Sequence, residues 1–260
     1  MLDLSFSLMD LELFLLVIVR ISCFVFTAPF YSINSVPGRY KIAFSIFVAY
    51  LVYSMVLPTS ELEYDSVFEY AVIVGKEAIV GLLVGLGANI CTHIISFAGR
   101  IVDMEMGLSM ASVMDPTTRE VSTMSGLLYN YLIMLILLLS GMYQYVLKAL
   151  IETYQLIPVN GAHFSLYGIL NAFLDFMTQF FVIGFQICLP VFAGTMILNA
   201  ILGILAKVSP QINMFAVGLQ LKIFVGLAIL FFTIALLPYL SDVIFKEMKV
   251  MIVSMVEAMM

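Results

Sequence analysis

Residue types that could do chemistry are few and scattered along this chain. It has two histidines, His93 and His163, far apart and neither in an HExxH context, so a zinc hydrolase has no ligand set. Gly107-Leu108-Ser109-Met110-Ala111 resembles a nucleophile elbow but closes on Ala and has no candidate base beside it. No Gly-rich loop ends in Gly-Lys-Ser/Thr, so the sequence offers no phosphate cradle for nucleotide hydrolysis. Asp103 and Glu105 stand two residues apart, which on a helix separates them by about 200° and keeps them from sharing a proton. Cys23, Cys91 and Cys188 each lie inside an apolar run without a CxxC pair, and they read as small buried hydrophobes. The expectation is a non-enzymatic protein with no cofactor and no metal.

What stands out instead is the stretch from Arg100 to Met124, RIVDMEMGLSMASVMDPTTREVSTM. Met106, Met110 and Met114 recur at i, i+4 and i+8, which predicts one helical stripe ending at Asp115-Pro116. Gly107, Ser109, Ala111 and Ser112 between them are small, so the segment is able to bend or unwind. Spacing alone leaves two alternatives, a short helix whose core gaps are filled by Met, or a deformable gasket. Thioether side chains are unbranched and polarisable, and close around varied shapes without fixed hydrogen bonds.

These residues must be positioned by apolar elements. The chain has 260 residues, 63% hydrophobic and 11% charged, against about 25% charged in soluble domains. So few charges cannot coat a soluble protein of this size. Mean hydropathy is +1.13, and several apolar runs approach or exceed the ~20 residues needed to cross a bilayer. The fold class expected is all-α, a polytopic membrane protein. A net charge of −6 argues against nucleic acid as a partner, because phosphate binding needs clustered Lys and Arg. With no Trp, interfacial anchoring falls to 13 Tyr. Asp3, Asp10 and Glu12 precede the first cation, unlike the positive start of a cleavable signal, so the first segment is expected to be retained.

Six apolar segments are predicted, at residues 11–31, 42–57, 67–98, 124–151, 169–206 and 212–237, with a weaker tail from 243. Turn chemistry separates them, including Val36-Pro37-Gly38, Asp115-Pro116, Pro158-Val159-Asn160-Gly161, Ser209-Pro210 and Pro238. Lys and Arg cluster in alternate short loops, which predicts an outside N-terminus; Lys246 and Lys249 in the tail do not fit. Segments 67–98 and 169–206 would run ~48 and ~57 Å as straight helices, far beyond the ~30 Å of hydrocarbon. Pro190 and Gly194 offer a bend in the second. Arg20, Lys76 and Lys222 lie in apolar runs, and an intramembrane charge costs at least ~2.5 kcal/mol unless paired or hydrated. Arg20, Glu69, Lys76, Glu77 and Lys222 are therefore expected in polar seams across helices or subunits. His93 and Asp175 belong either to such seams or to water where helices leave the bilayer. Gly81 and Gly85 form a GxxxG pattern for close helix packing, a feature of many membrane bundles.

Taken in order, a further set of residues resembles a known family. It comprises Arg20 before Thr27-Ala28-Pro29, Val36-Pro37 with Arg39 and Lys41, Gly107-Leu108-Ser109 leading to Asp115-Pro116, Leu156-Ile157-Pro158, and Ser209-Pro210-Gln211-Ile212-Asn213-Met214-Phe215 with Gly218 and Leu221-Lys222. Together they resemble the R/T family of type III export-apparatus proteins, whose flagellar branch is the FliR family. Each motif is weak alone, but their joint order over nearly the whole chain is specific. The MDP loop and the PQINMF stretch look more like the flagellar than the virulence branch.

The resemblance implies a subunit of the type III export gate in the bacterial plasma membrane at the flagellar basal body. It implies long, tilted or kinked helical hairpins assembled with P and Q components, with the B component as a further partner and unfolded flagellar proteins as substrates. It also implies a P-like portion, residues 1–165, carrying a pore-plug loop, followed by a Q-like hairpin and tail, residues 166–260. The plug maps onto Met106, Gly107, Leu108, Ser109, Met110, Ala111, Ser112, Val113, Met114, Asp115 and Pro116. Membrane lipid would contact only part of the apolar surface. The rival from another class is a secondary transporter with broken helices, which predicts an internal repeat and polar groups at one depth. No convincing repeat is present and the charges are scattered.

Overall fold

A computed structural model describes residues 8–56, 64–109, 112–114, 121–209 and 214–260. Among them the chain is built from eight α-helices. They are α1 (Leu8–Thr27), α2 (Gly38–Val56), α3 (Val67–Met106), α4 (Met124–Leu139), α5 (Met142–Leu156), α6 (Leu166–Val208), α7 (Met214–Thr233) and α8 (Leu237–Glu257). Two three-residue strands, β1 (Ser112–Met114) and β2 (Val121–Thr123), pair antiparallel with Val113 opposite Ser122. The architecture is all-α and that of a membrane protein. Among the described residues three helical runs are long and apolar enough to cross a bilayer, or four if α4 and α5 together make one broken span.

The helix count corrects the six expected, for two local reasons. Residues 124–151 form one apolar run, but Gly141 adopts φ +76, a left-handed conformation that ends α4 at little steric cost. At the other end, Pro238 does not stop the chain. A 3₁₀ turn at Ile234–Leu236 leads directly into α8, and Pro238 sits in its first turn, where its missing N–H costs no helical bond. The long segments are longer still: α3 has 40 residues and α6 has 43, the latter helical through Pro190.

The chain divides into two compact units: Met1–Cys91, Gly141–Phe176 and Glu247–Met260 form the first, and Thr92–Ser140 with Met177–Lys246 the second. In the first unit, α1 buries Leu13, Leu16, Val17, Arg20, Ile21, Phe24 and Val25, and Ala28 just past its end is buried too. That three-and-four spacing is one helical face, and Arg20 lies on it. Gly81 and Gly85 of α3 let the backbones of α3 and α1 meet: a Cβ on Gly81 would overlap the Arg20 carbonyl, and one on Gly85 would overlap Thr27 Oγ1. The C-terminal part of α8 packs Met251 and Met255 beside Gly87. The chain end is tied to the connector before α6, His163 N donating to Met259 O (2.9 Å) and Ser165 N to Ala258 O (3.0 Å).

In the second unit α4 buries Ser125, Gly126, Tyr129, Ile133 and Leu137, again one face. Gly99 of α3 stands against Gly126, where any side chain would strike backbone. Phe97 fills the notch left by Gly184 and lies edge-on to Phe181 and Phe185.

Candidate functional site

Two constellations gather the residues singled out in the sequence. The first is a charge cluster in the first unit. Arg20 and Glu77 are fully buried and paired in two places, Nε to Oε2 at 2.6 Å and Nη2 to Oε1 at 3.0 Å. Such forked pairing matches the planar guanidinium to the carboxylate. Arg20 Nη1 also donates to Ile157 O (3.1 Å) and Thr153 Oγ1 (3.5 Å), and the Tyr154 ring lies 4.2 Å from the guanidinium carbon. Glu77 Oε1 further accepts from Asn160 N (3.1 Å), whose residue has φ +66, a left-handed turn that Asn tolerates. Lys76 Nζ donates to Asn160 Oδ1 at 3.3 Å. The cluster therefore joins α1, α3, α5 and the connector after α5 within one chain.

Glu69 has a different place. It is exposed in the first turn of α3, accepting from Asp65 N (2.8 Å) while its own amide donates to Ser66 Oγ (3.3 Å). That is helix capping, reinforced by a carboxylate at the positive helix end. Beside it, Tyr64 donates to Glu12 Oε2 at 2.7 Å, and this bond to a carboxylate raises the Tyr64 phenol above its ordinary value. Lys222 is half-buried in α7 and has no ion-pair partner among the described residues.

The second constellation surrounds the Met-rich segment in the second unit. Met106, Met110 and Met114 do not form one helical stripe, which corrects that expectation. α3 ends at Met106 because Gly107 takes φ +81, and Met114 lies in β1. The helix end is closed by Gly107 N donating to Met104 O (3.2 Å) and Leu108 N to Asp103 O (2.8 Å). Met106 is fully buried and occupies the space above Gly226 of α7, where a Cβ would overlap its thioether. Leu219 of α7 lies against Gly107. Of the remaining predicted plug residues, Leu108 is half-buried and Ser109 exposed, and Ser112 and Val113 belong to β1. Met110, Ala111, Asp115 and Pro116 lie outside the described residues.

Several members of these constellations carried no sequence signal. Thr153, Tyr154 and Asn160 lie more than 130 or more than 80 positions from their partners Arg20 and Glu77, and no local pattern announces such contacts. Asp103 is fully buried, with Oδ2 accepting from Ser125 N at 2.8 Å. The sequence marked it only as the neighbour of Glu105, with which it does not share a helical face. Among the described residues no group of three or more His, Cys, Asp or Glu is arranged to hold a metal ion.

The chain matches the model of the bacterial export proteins, family 1, over residues 11–248. It is 35% identical over 229 residues to the flagellar biosynthetic protein FliR of Bacillus subtilis (strain 168), covering 86% of this chain and 87% of that protein. It is 29% identical over 220 residues to the protein of that name from Aquifex aeolicus (strain VF5), covering 84% of this chain and 83% of that one. With the Escherichia coli (strain K12) protein of that name the identity is 25% over 240 residues, covering 91% and 90%. A match that runs through both constellations and nearly the full length places this chain in the bacterial export protein family 1.

Proposed function

We propose that the chain is a non-enzymatic subunit of the flagellar type III protein export gate, resident in the bacterial plasma membrane at the basal body. It forms with P and Q components, and against the B component, a pore for unfolded flagellar proteins. The observation that carries this reading is the near end-to-end likeness to proteins named flagellar biosynthetic protein FliR. In the pore, residues 106–116 act as a plug. Support comes from the abrupt end of α3 at Gly107, which releases a Met-rich segment from the helical scaffold, and from the suitability of thioethers for sealing irregular gaps. At rest the plug excludes ions by close apolar contact, and it moves aside for a passing chain. Energy for transport comes from partners.

The test has two arms. Purified in detergent from its native host, the chain should bring P and Q components in fixed ratio; a stable isolated monomer counts against the gate. Deleting residues 106–114 should leave the complex assembled but raise its ion conductance in planar bilayers. An assembled deletion complex with an unchanged leak removes the plug from the proposal.

A further inference from the structure

We propose that Asp103 is the positioning residue of the Met-rich segment: its carboxylate pins together the two stems from which that segment springs. The proposal rests on the plug assignment above and adds the device that holds the plug in register. Asp103 lies in the last turn of α3, and its backbone carbonyl accepts Leu108 N, closing the stem that leads into the segment. Its side chain reaches the stem that leads out, accepting the Ser125 amide at 2.8 Å in the first turn of α4. One residue thus grips both ends.

The need for such a grip is visible at α4. A helix start has four amides without intrahelical acceptors. The residue at the cap position, Thr123, makes no side-chain capping bond, and its hydroxyl is buried without a partner among the described residues. Asp103 takes over that work from a different helix, its carboxyl oxygen accepting an amide at the positive end of α4. No cation pairs with it among the described residues, and its second oxygen, Oδ1, is buried without a partner there. Among the described residues the Ser125 amide is the one partner of this carboxyl group, at a site where an apolar side chain would be cheaper to bury. The contact of Gly99, one turn before Asp103, with Gly126, the residue after Ser125, brings the stems close enough for the bond. The consequence is a boundary: the stems stay joined at Asp103 and do not separate.

Spin labels at Met104→Cys and Met124→Cys, both exposed positions, report stem separation in the assembled complex once Cys23, Cys91 and Cys188 are changed to Ala. Asp103→Asn keeps an acceptor, whereas Asp103→Leu keeps the branched outline, with bulkier methyl groups, and removes it. A single narrow distance distribution is expected for the parent and Asp103→Asn. For Asp103→Leu the distribution should broaden at least two-fold, and ion leak should rise several-fold toward that of the 106–114 deletion. A narrow distribution and parental leak in Asp103→Leu overturn the proposal. Broadening without leak, in a background where the 106–114 deletion leaks, overturns it as well. Broadening where the deletion itself does not leak upholds the pin and defeats the plug. If Asp103→Leu does not assemble, Asp103→Asn decides: parental width and leak support the pin, and a broadened distribution with parental leak overturns it.

Discussion

At the level of single residues, the buried Arg20–Glu77 pair dominates. Two charges removed from water gain little net stability over an apolar pair, yet removing one partner leaves the other stranded. Arg20→Met or Glu77→Gln is expected to destabilise the chain by about 3–5 kcal/mol, read as a lower midpoint in detergent unfolding. The double change to Met and Leu should recover much of that loss. If each single variant unfolds like the parent, the pair does not hold the first unit together. Gly107 offers a second test at this scale. Its φ of +81 penalises any side chain by about 1–2 kcal/mol, and a Cβ would press on Leu219 at 2.7 Å. Gly107→Val should destabilise the second unit and raise leak, checked by unfolding and conductance on the same preparation.

Among the elements, glycines separate packing from flexibility. Gly81 and Gly85 lie where α3 touches the backbone of α1, so Gly81→Val should abolish folding of the first unit or cost about 1–3 kcal/mol or more by overpacking. Gly75, on the same helix, has nothing within 4 Å of the point a Cβ would occupy, and Gly75→Ala should stabilise by about 0.5–1 kcal/mol through helix propensity alone. Opposite signs for two glycines six residues apart, measured in one unfolding series, would show that contact and not composition governs α3. The GxxxG spacing was legible in the sequence, but its partner helix was not. Likewise the run at 124–151 predicted one helix, and the left-handed Gly141 made it two.

For the whole molecule, large apolar side chains remain exposed on both units. Phe224, Phe231 and Phe232 on α7 are each more than 70% exposed, as are Leu166 and Tyr167 at the start of α6. On the gate reading proposed above, such surfaces would be covered by lipid or by neighbouring subunits, and the half-buried Lys222 on α7 argues for protein on its side of that helix. Lys222→Leu is accordingly expected to leave the isolated chain at parental stability while lowering its co-purification with P and Q components and its support of export. Parental assembly and export would show this charge to be dispensable.

Class and family were legible in the residues alone. Apolar run lengths, sparse charge and an ordered set of motifs are local or statistical properties, and they specify a helical membrane protein of the export type before any contact is known. The sequence also marked Arg20, Glu77 and the Met-rich segment as unusual, because charge in apolar runs and Met on small-residue backbone break the surrounding pattern. What these residues touch emerges only when the helices are packed. Arg20 meets Glu77 across 57 positions, Asp103 caps α4 across 22, and Met106 settles above Gly226. Each contact depends on how helices cross, and crossing is set by side-chain volumes over both surfaces at once. The helical Met stripe failed for a related reason. Spacing describes which residues would share a face if the helix continued, but a single glycine in the left-handed region decides whether it does.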